Sequence, residues 1–168
     1  AAVGGLLAQL HMAAESFVPP QGFDRPRLDW DGLFGSGSIY DPGSAATVLT
    51  DQQSIVLEQV TGQLRQSMGS STSMFGLIHA DLLAKNILFA ADGSPRPLDF
   101  AYCGWGYYLY DLAPLLWQLR GLVADYATLE DALWSAYVAQ RPALAGHRAA
   151  LEGFIAARQV ASIRWLLG

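Results

Sequence analysis

Leu77-Ile-His79-Ala-Asp81-Leu-Leu-Ala-Lys-Asn86-Ile-Leu88, followed by Leu98-Asp99-Phe100, is the stretch that decides how this chain is read. Phe75 to Ile78 and Ile87 to Ala90 are short apolar runs. Asp92-Gly93 is a hairpin-type turn signal, and Pro97-Leu98 leads into Asp99. The pattern predicts a small β-hairpin flanked by polar loops. Asp81 falls in a loop just after a strand. Asn86 follows it by 86 − 81 = 5 residues and Asp99 by 99 − 81 = 18. A hairpin between Asn86 and Asp99 folds their side chains back toward each other.

That set of residue types matches one chemistry well. Phosphoryl transfer is mostly positioning and charge neutralisation. It needs a base near an acceptor hydroxyl and oxygen ligands for a divalent cation. Asp81 can be the first, Asn86 and Asp99 the second.

Outward from this stretch the chain reads as helical. Val3, Leu6, Leu7, Leu10, Ala14 and Phe17 recur at helical spacing, and Pro19-Pro20 ends that helix. Residues 18–50 are rich in Pro, Gly, Asp and Ser and read as a long excursion, with one turn of helix near Trp30 to Phe34. Thr50 or Asp51 can cap a second helix carrying Val56, Leu57, Val60 and Leu64, broken by Gly69 to Ser73. Three further helices follow: one through Leu109, Leu112, Leu116 and Leu119, one through Leu129, Leu133, Trp134 and Tyr137, and one from His147 to Leu167. Thr128 with Asp131 resembles a capping box at the start of the middle one. The expectation is a single domain over residues 1–168, mainly α with a small β-hairpin.

Composition narrows the function classes. Net charge is −5, which argues against a nucleic-acid partner. No uncharged apolar stretch reaches the ~20 residues that span a bilayer, so no membrane role is expected. Cys103 is the only cysteine, so no intrachain disulfide can form, and a cytoplasmic setting fits. The chain starts without Met and inside a helical pattern, which reads as a trimmed chain or a processed terminus.

His79-x-Asp81-x-x-x-x-Asn86 with Asp99-Phe100 resembles the catalytic-loop and metal-binding patterns of the protein-kinase-like superfamily. Fixing those five residues by chance is a roughly 10⁻⁶ to 10⁻⁷ event per start point. His79-Ala-Asp81, the Leu-Ala-x-Leu-His of residues 7–11, Gly104-x-Gly106 and Asp111-Leu-Ala are similar to the aminoglycoside phosphotransferase and choline kinase-like family. Residues 103–113 resemble its bacterial homoserine-kinase-type and stress-response-kinase-type members. The resemblance implies the C-terminal lobe of a protein-kinase-like fold. It implies ATP as co-substrate, Mg²⁺ on Asn86 and Asp99, Asp81 as catalytic base, and a small hydroxylated substrate. It further implies that His79 braces the loop and that Asp111 fastens its helix to that loop.

The pattern has departures. Leu83 stands where the family usually has His, and Ala101-Tyr102 stand where an acidic residue often follows Asp-Phe. No Gly-rich strand-turn-strand and no lysine strand precede the catalytic stretch, so the N-terminal β lobe is absent from these residues and nucleotide-binding residues are unknown. The 168 residues alone are therefore expected to be inactive or nearly so. The face left for the missing lobe is expected to be exposed and partly apolar, and to allow a homo-oligomer. The main alternative is an inactive kinase-like lobe serving as a binding or assembly module.

Blander roles are expected for several other residues. His11 reads as a packed, satisfied histidine. Trp105, Tyr107, Tyr108 and Tyr110 read as core, and Asp24, Asp29 and Asp31 as a solvated group.

Overall fold

A computed structural model describes residues 1–35, 38–40, 49–68 and 74–167. Its element order is α1 (Ala2–Glu15), β1 (Arg27–Leu28), α2 (Trp30–Phe34), α3 (Asp51–Met68), β2 (Phe75–Ile78), β3 (Ile87–Phe89), β4 (Pro95–Pro97), β5 (Gly104–Tyr107), α4 (Tyr108–Leu119), α5 (Tyr126–Gln140) and α6 (Leu151–Leu167). The mainly helical class with a small hairpin holds. The helix breaker placed at Gly69 to Ser73 lies outside the described residues.

The core is built on α4, whose Leu109, Leu112 and Leu116 are fully buried at i, i+3 and i+7. Burying each such side chain contributes about 1.5–3 kcal/mol. α4 packs on α6, α6 on α3, and α1 on α5. At the α1–α5 crossing Gly4 is required, because a Cβ there would run into the carbonyl of Leu133. The buried stripe of α1 is Gly4, Leu7, Ala8 and His11, so the line of large apolar residues in the sequence sits partly to one side of the packed face. The helix ends at Glu15, before Phe17, which is exposed.

β3 and β4 form the antiparallel hairpin, with Ile87 opposite Pro97 and Phe89 opposite Pro95. A second sheet was not anticipated. Its order is β1-β5-β2, with β5 parallel to β1 and antiparallel to β2. The Gly104-Trp-Gly106 segment thus forms the central strand. Gly104 suits it, because a Cβ there would approach the Pro26 carbonyl oxygen to 2.5 Å.

Besides α2, whose Asp29 carboxylate accepts from the Gly32 amide at 3.0 Å, two helix starts follow side-chain capping. Thr50 Oγ1 accepts from the Gln53 amide at 3.3 Å, and Gln53 Oε1 accepts from the Thr50 amide at 2.9 Å, a reciprocal cap for α3. The capping box expected at Thr128 and Asp131 is displaced. Asp125 caps α5, its carboxylate accepting from the Thr128 amide at 3.2 Å. Asp131 instead pairs with Arg148. The last helix also differs from expectation: residues Pro142–Ala150 form 3₁₀ turns before α6 begins at Leu151.

Candidate active site

β2 delivers the chain into the loop His79 to Leu83, which closes through a 3₁₀ turn at Ala84–Asn86. The Leu83 amide donates to the Asp81 carbonyl at 2.7 Å and the Asn86 amide to the Leu83 carbonyl at 2.9 Å. Ala80 sits at φ +66, a left-handed conformation unusual for alanine. Such a residue costs about 1–3 kcal/mol and persists only when its surroundings over-determine it.

Asp111 supplies that constraint. β5 runs directly into α4, which puts Asp111 in the first turn of the helix, where a carboxylate is favoured. Its Oδ1 accepts from the Ala80 amide at 2.6 Å and its Oδ2 from the His79 amide at 2.9 Å. The Nε2 of His11, on α1, donates to Oδ2 at 2.9 Å, and its Nδ1 meets the Tyr137 hydroxyl at 2.9 Å. His11 and Asp111 are both completely buried. Burial pushes the Asp111 carboxyl up, but the bond from His11 and the bond from the His79 amide outweigh it, holding the group below the usual carboxylate range.

His79 has both ring nitrogens committed within the loop. Nε2 donates to the Leu98 carbonyl at 2.9 Å, and Nδ1 accepts from the Asp81 amide at 3.3 Å. That defines one neutral tautomer and leaves no nitrogen for proton transfer. The ring also lies 4.5 Å from that of Phe100.

Asp81 is buried at the edge of a cavity of about 130 Å³ lined by Tyr40, Leu83, Lys85, Tyr102, Arg158, Ser162 and Trp165. Its two oxygens face different partners. Asn86 Nδ2 reaches Oδ2 at 3.2 Å and also the Asp81 carbonyl at 2.8 Å, while Arg158 Nη2 reaches Oδ1 at 2.6 Å. Asn86 is buried, and its amide oxygen takes no hydrogen bond among the described residues.

Asp99 joins this group through the backbone. The Leu98 amide donates to the Asn86 carbonyl at 2.9 Å, continuing the β3–β4 ladder to the residue before Asp99. Asp99 itself is exposed at φ +62, and among the described residues its carboxylate accepts one bond, to Oδ1 from the Ala101 amide at 3.3 Å. His79, Asp81, Asn86 and Asp111 thus form one hydrogen-bonded cluster, while the carboxylate of Asp99 makes no bond to it. The described residues hold no group of three or more His, Cys, Asp and Glu side chains arranged for a metal. An Asn amide and an Asp carboxylate with free oxygens suit a cation that takes one or two protein ligands and completes its shell from phosphates and water, as Mg²⁺ does.

Sequence reasoning missed Arg158, Tyr40, Ser162 and Trp165. Arg158 did leave a signal: it stands on the apolar stripe of α6 with Leu151, Phe154, Ile155 and Ala161, all buried. Tyr107, Tyr108 and Tyr110 are buried, and neither they nor Trp105 line the cavity.

With the geometry in place, comparison with known proteins is informative. Residues 1–159 match the model of the phosphotransferase enzyme family (APH). The chain belongs to that family. Homoserine kinase of Rhodopseudomonas palustris (strain TIE-1) is 30% identical over 169 residues, covering 99% of this chain and 49% of the relative. Homoserine kinase of Nitrobacter winogradskyi is 31% identical over 173 residues, covering 99% of this chain and 49% of the relative. This phosphotransferase-family chain therefore spans about half the length of the curated relatives it matches. Among solved structures, a microcompartment-associated aminopropanol kinase superposes with TM-score 0.82 at 24% identity, covering 98% of this chain and 52% of that one. An amicoumacin kinase in complex with AMP-PNP, Ca²⁺ and Ami gives TM-score 0.72 at 20% identity, covering 99% and 50%. These likenesses establish the kinase-like fold for the phosphotransferase-family chain. Among the described residues, no helix is long and apolar enough to cross a membrane.

Proposed function

We propose that the protein transfers the γ-phosphoryl group of ATP to a hydroxyl of a small acceptor, with Asp81 as catalytic base and Asn86 and Asp99 as ligands of Mg²⁺. The observation that carries this reading is the orientation of Asn86. Both of its short contacts to Asp81 come from the amide nitrogen, which leaves the amide oxygen free beside the base. The divalent cation, when bound, neutralises charge developing on the phosphates. Asn86 and Asp99 offer it hard oxygens. Asp81 orients the acceptor hydroxyl and takes its proton. His79 holds the loop in shape, and Asp111 fixes the two amides that precede Asp81. The amicoumacin kinase, solved with AMP-PNP and Ca²⁺, supports only the coarser pairing of a nucleotide with a divalent cation.

ATP is held in part by a second lobe in this reading. Leu88 and Phe89 on the hairpin, with Leu98 and Phe100 flanking Asp99, are exposed apolar side chains. A nucleotide-holding lobe, or a second copy of the chain, would cover them. The single buried thiol of Cys103 suits the cytoplasm. The alternative of a non-catalytic binding module has no observation in its favour, because neither free oxygen would then have a task.

The test is ATP turnover by the full-length protein against a panel of small hydroxylated amines and hydroxy acids. Asp81→Asn should lower kcat by about 10²- to 10⁴-fold. Retained turnover in that variant would remove Asp81 from the role of base.

A further inference from the structure

We propose that Arg158 is a positioning residue for the base: it fixes the plane of the Asp81 carboxylate in the cavity, and so acts on phosphoryl transfer through Asp81 without touching the acceptor. This rests on the reading of Asp81 as base.

The torsion that turns an aspartate carboxylate is broad and roughly two-fold, so its own rotamer does not aim it. At Asp81 the backbone and the side chain are held from two different helices. Asp111 on α4 accepts from the His79 and Ala80 amides, which sets the backbone just before Asp81. Arg158 on α6 holds the carboxylate itself, Nη2 donating to Oδ1 at 2.6 Å. Asn86 Nδ2 reaches Oδ2 at 3.2 Å, the longer contact of the two. The short bond between two charged groups is the stronger one, so the plane of the carboxylate follows the guanidinium. An ionised carboxylate offers about four lone-pair sites. Arg158 and Asn86 take one each, and the rest are available to a hydroxyl in the cavity that Asp81 lines.

The guanidinium is itself held in place. It sits in the middle of α6, on the face that buries Phe154, Ile155 and Ala161. Trp117 covers one face at 5.8 Å, and the buried hydroxyls of Tyr40 and Tyr110 lie beside it. Nε is enclosed without a partner. A group so confined suits the aiming of a neighbour better than the capture of a ligand. Stability does not account for the pair, because a buried ion pair is often no better than apolar residues of similar volume. Among the described residues, Asp81 is the one carboxylate paired with Arg158.

The experiment is a double-mutant cycle in the full-length protein, with ATP and with homoserine and ethanolamine as acceptor probes. Arg158→Met keeps an apolar stem against Trp117 and removes the charge. It should lower kcat about 10- to 10²-fold, as a misplaced reacting group does, with acceptor KM within about threefold. Arg158→Lys keeps a charge but not the planar fork, and its kcat should fall between the two. In the Asp81→Asn background no base is left to aim, so Arg158→Met should change kcat by less than about twofold. A residue that only holds α6 in place would lower turnover by the same factor in both backgrounds, and that result overturns the proposal. Unchanged kcat in Arg158→Met, or a loss confined to KM, also overturns it. Arg158→Met leaves the Asp81 charge buried alone. If melting curves show that it fails to fold, Arg158→Lys is compared in the same two backgrounds by the same criteria. Where turnover is too low to compare, the side-chain carboxyl-carbon NMR signal of Asp81 decides. It should be one sharp line in the unaltered protein and broadened or doubled in Arg158→Lys, and an unchanged line overturns the proposal. If Asp81→Asn keeps turnover, the base reading fails and the role of Arg158 falls with it. If Asp81→Asn loses turnover while Arg158→Met costs the same factor in both backgrounds, the base stands and only the role of Arg158 falls.

Discussion

Asp111 and Asp99 are carboxylates on either side of one loop, and they are built in opposite ways. Asp111 is wholly buried and accepts from His11, the His79 amide and the Ala80 amide. Asp99 is exposed, sits at φ +62, and accepts one long bond from the Ala101 amide. A fully buried carboxylate that already accepts three hydrogen bonds from the protein has little room for a ligand. One with free oxygens on a constrained backbone has that room. The difference separates a carboxylate that holds the loop from one whose oxygens are left open, where the proposed cation would bind.

The comparison is broken most easily at Asp111. Asp111→Ala leaves His11 and two amides buried without their acceptor, and should cost about 3–5 kcal/mol in urea unfolding. A cost under about 1 kcal/mol would mean that the loop is held by something else. Tyr137→Phe removes one bond to His11 and should cost about 0.5–1.5 kcal/mol, a graded test of the same network. Asp99→Asn should leave stability within about 0.5 kcal/mol, because an exposed side chain with one weak bond holds little. The same change in the full-length protein should raise the Mg²⁺ concentration needed for turnover.

Acid sharpens the contrast further. The Asp111 carboxyl is depressed in the folded state, so its contribution to stability is complete above the ordinary carboxylate value of about 3.9. That contribution is lost as pH falls through the lower folded value. Chemical shifts of Asp111 should therefore titrate below those of a free carboxylate, and Asp111→Asn should remove this part of the acid limb of the stability profile.

The hairpin and the long helices could be read from the sequence because their signals are local. Asp92-Gly93 marks a turn, and Leu109, Leu112 and Leu116 mark a face. The β1-β5-β2 sheet left no such trace, because a strand of two residues and a glycine-rich one of four carry almost no periodicity. The cap of α5 was misread because Thr128 and Asp131 imitate a capping box, while Asp125 makes the bond. At the site, Asp81 and Asn86 lie five residues apart and declare themselves by spacing. His11 reads as a packed histidine, but its bond to Asp111 spans 100 residues of sequence. The Arg158–Asp81 pair spans 77, and only the charge on an apolar stripe hinted at it.

The central proposal is that Asn86 and Asp99 hold one divalent cation beside the base Asp81. Adding Mn²⁺ and ATP to the isotope-labelled full-length protein and following paramagnetic broadening tests it directly. The amide signals of Asn86, Asp99 and their immediate neighbours should disappear at the lowest Mn²⁺ additions, ahead of those near Asp24, Asp29 and Asp31. Sharp signals at Asn86 and Asp99 while that second acidic group broadens would contradict the account.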